Sequence, residues 1–214
     1  MDATVGSVLL VEGDWRIERI AESWEKHAEE NQKVNITTVL FDDKVDVIHD
    51  RFSIDIIKPL TEEDYYVRGC TALLDAVGST ISKVSNIQRH LPEDHRAGKV
   101  IFVITTDGYE NSSREYSYDQ IKKMIEQKKE EGWEFLFLGA NIDAGREAEK
   151  IGISRNRSVT YENDAAGVGV NFATVGKALR QAVVSDCADE LIADDWQDDI
   201  VKYRKEKKKR RAGI

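Results

Sequence analysis

Cysteine and proline each occur only twice in the 214 residues, and each scarcity excludes a class of structure. Cys70 and Cys187 lie far apart and belong to no CxxC pair, so neither a disulfide framework nor a zinc cluster is expected, and both are read as reduced, buried thiols. Pro59 and Pro92 leave no proline-rich linker, and no internal repeat is visible. No segment approaches the ~18 uninterrupted apolar residues of a membrane-spanning helix. The opening MDATVGSVLLVEGDW lacks the basic lead and long apolar region of an export signal, so a cytoplasmic protein is expected. Also missing are a GxSxG elbow, a P-loop and a strand-linked GxGxxG. The four histidines, His27, His49, His90 and His95, have no ligand spacing such as HExxH and read as surface or edge residues.

The composition that is present suits one domain with a sizeable core, since 41% of the residues are hydrophobic. The formal net charge is -9, and it is unevenly placed. Lys202 to Arg211 is strongly basic, so the body before it is more acidic than the total suggests. An acidic body disfavours nucleic acid as the main partner, because each phosphate contact needs a facing cation. The basic end can touch phosphate or an acidic protein surface, or it can be a solvated, frayed helix end that complements the helix dipole.

Apolar runs and helical patterns alternate along the chain. Strands are expected at Ser7 to Val11, Asn35 to Phe41, Lys99 to Thr105, Trp133 to Leu138 and Arg157 to Tyr161. Lys44 to Ile48 alternates after the turn Asp42-Asp43 and reads as the antiparallel edge strand of a hairpin. Helices are expected from Trp15 to about Glu30, from about Ala72 to just before Pro92, and over Tyr118 to Glu131, Asp143 to Ile151, Ala165 to Ser185 and Ala188 to Lys205. This succession, with fully apolar central strands, predicts an α/β fold: a doubly wound, mostly parallel sheet with one antiparallel edge strand, plus C-terminal helices. The expected organisation is a domain over 1–162, a helical extension over 163–201 packed on it, and a basic tail over 202–214.

In doubly wound sheets ligands bind beyond the carboxyl ends of the strands. The strand KVIFVIT ends there in Thr106-Asp107-Gly108, with a carboxylate at the tip and a glycine for the sharp turn. A carboxylate so placed can hold a hard cation, although Asp-Gly is also an ordinary turn dipeptide. Thr71, just ahead of a helix, can cap that helix or offer a neutral oxygen to a cation beside Asp107. Asp75 reads as first-turn helix chemistry, and Gly167 to Asn171 as a helix start or close approach.

The motif GCTALLDA, followed some thirty residues later by a hydrophobic strand ending in TTDG, resembles the von Willebrand factor A (vWA) family. The segments Glu110 to Tyr116 and Gly132 to Asn141 are similar to those of its small stand-alone bacterial and phage members, and the likeness extends from about Asn35 to Phe172. The resemblance implies a metal-ion-dependent adhesion site (MIDAS). In the family this site is built from an Asp-x-Ser-x-Ser loop, a threonine and an aspartate around Mg²⁺ or Mn²⁺, with one position open for a partner's carboxylate. Thr71 matches the threonine and Asp107 the aspartate. The first loop departs from the pattern, because Glu12-Gly13-Asp14-Trp15-Arg16 follows the first strand. Glu12 and Asp14 can supply oxygens to a more negative site, whereas Arg16 stands where the second serine belongs. Its guanidinium can pair with Asp107 or Glu12 and take the place of the ion.

Three functions from different classes follow. The first is a non-catalytic protein-binding module using the strand-end face, with Arg16, Gly108, Tyr109, Glu110, Asn111 and Asn141 as contacts and metal ligands from Asp107, Thr71, Asp14 and Glu12. The second is a structural or assembly component, such as a phage virion or complex subunit, that keeps the vWA scaffold without its metal. The third is a metal-dependent phosphohydrolase, for which Glu12-x-Asp14 and Asp107 would form the acidic cluster.

Overall fold

Seven successive positions from Val100 to Thr106 have buried side chains, which is the signature of a strand covered on both faces. A computed structural model of the chain describes residues 4–11, 33–57, 69–184 and 192–213, and that strand lies inside its sheet. The strands are β1 (Thr4–Val11), β2 (Val34–Phe41), β3 (Val45–Ser53), β4 (Ala97–Thr106), β5 (Glu134–Ala140) and β6 (Ser158–Tyr161). Among the described residues the helices are α1 (Leu73–His90), α2 (Tyr118–Glu130), α3 (Ala144–Lys150), α4 (Ala165–Val184) and α5 (Asp198–Ala212).

The six strands form one sheet in the order β3-β2-β1-β4-β5-β6. All neighbours are parallel except β2 and β3, which pair antiparallel as the expected edge hairpin. β3 runs five residues beyond the predicted Ile48. A register shift near Thr38 and a left-handed Arg51 (φ 56°) accompany the extension, with the Arg51 N–H donating to Thr37 Oγ1 at 3.2 Å.

Because side chains alternate across a strand, β4 feeds two separate cores. Ile101 and Val103 face a cluster completed by Leu136 and Leu138 of β5, Phe172 and Leu179 of α4, and Trp196 and Ile200 at the start of α5. Phe102 and Ile104 face the other side, against Phe135 and Phe137 of β5, Leu74 and Ile81 of α1, and Ile121 and Ile125 of α2. The rings of Trp133 and Phe135 stack on Phe102 at 5.5 and 5.2 Å.

Three expectations need correction. Cys70 is exposed rather than buried; Cys187 lies outside the described residues. His49 lies on the edge strand, as expected, but its ring is buried rather than at the surface, hydrogen-bonded through Nδ1 to Thr38 Oγ1 at 3.0 Å. The last helix begins at Asp198, not Ala188, and continues through the basic segment to Ala212. Trp196 explains the late start: it is buried, and its indole N–H donates to the Asn156 carbonyl at 2.8 Å, which holds residues 194–197 in turns. The far end is closed by Gly213 in the left-handed conformation that terminates helices (φ 72°). The predicted helix from Trp15 to Glu30 lies outside the described residues.

Phe102 and Phe137 are the two largest fully buried side chains among the described residues, and both lie in the second of the two cores. Phe102→Ala is expected to lower unfolding free energy by about 3–5 kcal/mol, read as a lower denaturant midpoint at unchanged slope; a shift under about 1 kcal/mol would contradict this packing.

Candidate functional site

β1 and β4 are neighbours, yet the chain leaves β1 toward β2 and leaves β4 toward β5. Their carboxyl ends therefore bound the crevice at the topological switch point, where open α/β sheets bind ligands. Val11, at the end of β1, is in register with Thr105 of β4. Asp107 follows two residues later.

The turn beyond β4 is tight. The Thr106 hydroxyl donates to the Gly108 carbonyl at 3.0 Å and accepts the Gly108 N–H at 3.3 Å. Asp107 is left half-buried on this turn, and Tyr109 is 53% exposed, an unusual degree for a large aromatic side chain.

The chain next to the turn is clamped to α1. Thr71 is buried, its N–H donates to Asn111 Oδ1 at 3.0 Å, and its carbonyl accepts the Asn111 N–H at 3.1 Å. Glu110 Oε2 accepts the Leu74 N–H at 3.0 Å, and the Ser113 hydroxyl accepts the Asp75 N–H at 3.1 Å. These two side chains satisfy first-turn donors of α1, so that helix is capped from across the fold. Its own N-cap residue, Ala72, has no capping side chain.

Glu110 also accepts from the N–H groups of Ser112 and Ser113 and from the Ser113 hydroxyl, all within 2.9 Å. Asp75 returns the tie: its carboxylate accepts the N–H groups of Arg114, Glu115 and Tyr116 at 2.8 to 2.9 Å. The Tyr116 ring then lies against Gly78, where an added Cβ would come within 2.7 Å of three ring carbons. Nearby, burial holds the Tyr118 phenol above its ordinary pKa; Lys150 pulls it down, while Glu147 and Glu110 push it up, and it stays neutral.

The structure thus brings Thr71, Asp107, Gly108, Tyr109, Glu110 and Asn111 together. The Glu110 carboxylate and the Asn111 side-chain oxygen are engaged inside the fold, so these groups position the face. Asp107 receives a bond of 3.4 Å from Asn163 Nδ2, on the loop between β6 and α4. Asn141 is exposed one strand away, at the end of β5, in a left-handed conformation (φ 57°) that asparagine tolerates. Gly139 just before it permits the turn, because a Cβ there would meet the Ile142 side chain at 2.7 Å. Glu12, Asp14 and Arg16 lie outside the described residues.

Asn163, Ser113 and the Asp75 tie were not anticipated from sequence. The signal for the first was available: Asn163-Asp164 precedes an apolar helix, and Asp164 caps α4 by accepting the Gly167 N–H at 2.8 Å.

As a metal site, the described residues fit only in part. They bring one carboxylate, Asp107, and the buried Thr71 to the crevice, and among them no group of three His, Cys, Asp or Glu side chains could hold an ion. Glu110 and Asp75, the described carboxylates of the clamp, are already engaged by backbone N–H groups and the Ser113 hydroxyl.

No protein-family model matches the chain, and comparison with curated proteins gives no match. Among solved structures, proximal thread matrix protein 1 (PTMP1) from the mussel byssus aligns with a TM-score of 0.52 at 12% identity, over 82% of this chain and 45% of that chain. A second crystal form of it gives 0.52 at 14% identity. The VWA domain of SpRpn10 aligns at 0.45 and 9% identity, over 81% of this chain and 95% of that one. The chain spans less than half the length of the PTMP1 chain. Strand order, winding and this likeness define a vWA-like fold.

The clamp separates structural from available carboxylates. Glu110→Ala strands four donors and should cost about 2–3 kcal/mol of stability. Asp107→Ala should stay within about 0.5 kcal/mol. Chemical denaturation of the two variants measures both, and equal losses would mean that Asp107 also holds the fold.

Proposed function

We propose that the chain is a non-catalytic protein-binding module whose contact face is the carboxyl end of the sheet around Asp107. The observation that carries this reading is the pairing of a carboxylate outside the clamp with an exposed aromatic, Tyr109, on a rigidly braced turn. An aromatic anchor beside a charged group on a preorganised surface is the composition of an interaction hot spot, and rigidity lowers the entropy lost on binding. The vWA-like fold supports it, because it places that turn at the switch point.

Mg²⁺ or Mn²⁺ at Asp107, Thr71, Asp14 and Glu12 would offer a partner's carboxylate an electrophilic contact; Arg16 in its stead would offer a direct ionic one. The reading is non-catalytic because the carboxylates flanking Asp107 in the described loops bind backbone N–H groups, which leaves a phosphohydrolase without a general acid from them.

The assembly-component reading has a supporting observation of its own, since PTMP1 is by its name a matrix protein of a thread. Truncation before α5 cannot separate the two readings, because Trp196 and Ile200 belong to the core. Surface variants can.

The full chain, immobilised beside its Asp107→Ala and Tyr109→Ala variants, is expected to retain at least one protein from source-cell extract whose affinity falls tenfold or more in each variant. Retention unaffected by either change would remove this face. Calorimetric titration of Mg²⁺ and Mn²⁺ into the parent and Arg16→Ser separates the two contact modes: binding by the parent assigns the ion, and binding by the variant alone assigns the arginine.

A further inference from the structure

At the far edge of the sheet, α5, β6 and the start of α3 enclose a cleft of about 360 Å³. Arg155, Arg204, Lys205 and Lys208 line it, against a single carboxylate, Asp143. We propose that this cleft binds a phosphate-bearing ligand.

Charge on α5 is sorted by face. Lys207 is paired with Glu162 and Asp164, and Arg211 lies 3.3 Å from Glu162; Tyr203 donates to Asp164 at 3.1 Å. These contacts fasten the helix to the loop after β6. Positions 201, 204, 205 and 208 form the adjacent row, one helical repeat apart, and it is this row that enters the cleft. Lys205 and Lys208 are exposed and make no ion pair among the described residues. Arg204 is only loosely matched: its nearest carboxylate oxygen, on Glu162, is 3.7 Å away, and its buried Nε has no hydrogen-bond acceptor.

The opposite wall supplies a fork. Arg155 Nε and Nη2 are held by both oxygens of Glu149 at 2.8 and 2.9 Å, which fixes the plane of the guanidinium. Its third nitrogen, Nη1, lies over Gly145, 3.2 Å from where a Cβ would stand. Asp143 caps α3 by accepting the Arg146 N–H at 3.1 Å and keeps its negative charge, which acts on Arg155 through space without a hydrogen bond to it. Glu149 and Glu162 offset the two arginines, so Lys205 and Lys208 carry the unmatched positive charge of the cleft against Asp143, and a multiply charged anion matches that pair better than a single carboxylate does. An arginine preorientated by a carboxylate, with lysines as point charges beside it, is phosphate-recognition chemistry. The volume lies in the range of small-ligand sites, roughly 300–1,000 Å³, and the acidic body around the cleft opposes a long polyanion.

The test is calorimetric titration of inorganic pyrophosphate into the full chain at about 0.15 M salt. Saturable one-to-one binding is expected. It should weaken tenfold or more in the Lys205→Ala/Lys208→Ala double variant and in Arg155→Ala, and change less than twofold in Lys202→Ala/Lys209→Ala, which removes the same charge from α5 outside the cleft. All four lysines are exposed, so circular dichroism should record native helix in both double variants; Lys205→Gln/Lys208→Gln repeats the test with polar side chains. No saturable binding, or equal weakening in the two lysine pairs, overturns the site in favour of diffuse attraction. Tighter binding of a single-stranded oligonucleotide that depends equally on Lys202 and Lys209 overturns it in favour of nucleic acid. Displacement of pyrophosphate by a lower concentration of polyglutamate overturns it in favour of an acidic protein surface.

Discussion

The placement of β4 between two cores is the constraint on which the rest of the molecule depends. Ile101 and Val103 cannot be buried without α4 and α5, and Phe102 and Ile104 cannot be buried without α1 and α2. Each apolar side chain so covered contributes about 1.5–3 kcal/mol relative to exposure. The strand must then stop where the cover stops, and the residue after Thr106 emerges at the sheet's rim whatever its identity. That the residue is a carboxylate is a property of this sequence; that it stands at the switch point follows from the winding.

Position alone would leave Asp107 on a loose loop. The loop from Glu110 to Tyr116 is held because its side chains cap α1 while an α1 side chain caps it: Glu110 and Ser113 take N–H groups from the helix, and Asp75 takes three from the loop. Carboxylate acceptors make such bonds about twice as strong as neutral ones. Removing either half releases the other.

Much of the frame was legible because it rests on local periodicity. The unbroken run KVIFVIT marked a strand buried on both faces; the alternation in KVDVI marked the edge strand; and the spacing of Leu73, Val77 and Ile81 marked α1. The resemblance carried by GCTALLDA and TTDG pointed to the same winding. What sequence could not yield was the use of acceptors across distance. Glu110 reads as an available carboxylate until the Leu74 N–H, 36 residues away, is seen to donate to it. Thr71 reads as a cap until Glu110 and Ser113 are found serving that helix. The last helix was misplaced for a similar reason. Helical propensity runs on through residues 188–197, but burial of Trp196 and its bond to Asn156 hold residues 194–197 in turns. The basic segment stays helical because Glu162 and Asp164, distant in sequence, hold its cations.

Those two acids also tie the two ends of the molecule's chemistry together. Glu162, Asn163 and Asp164 are consecutive: the outer two hold α5, and the middle one reaches Asp107. Asp164 in addition caps α4, so the loop has little freedom to give at one end without moving at the other. The bond from Asn163 is long, at 3.4 Å, and weak beside the ionic contacts on either side of it. Order therefore passes from α5 to the loop and only faintly to Asp107. An anion seated against Arg204, Lys205 and Lys208 would compete with Glu162 for Arg204 while leaving Lys207 on Asp164. It would alter the charge balance of the loop before altering its path, and among the described residues the bond that could carry such a change to Asp107 is the long one from Asn163.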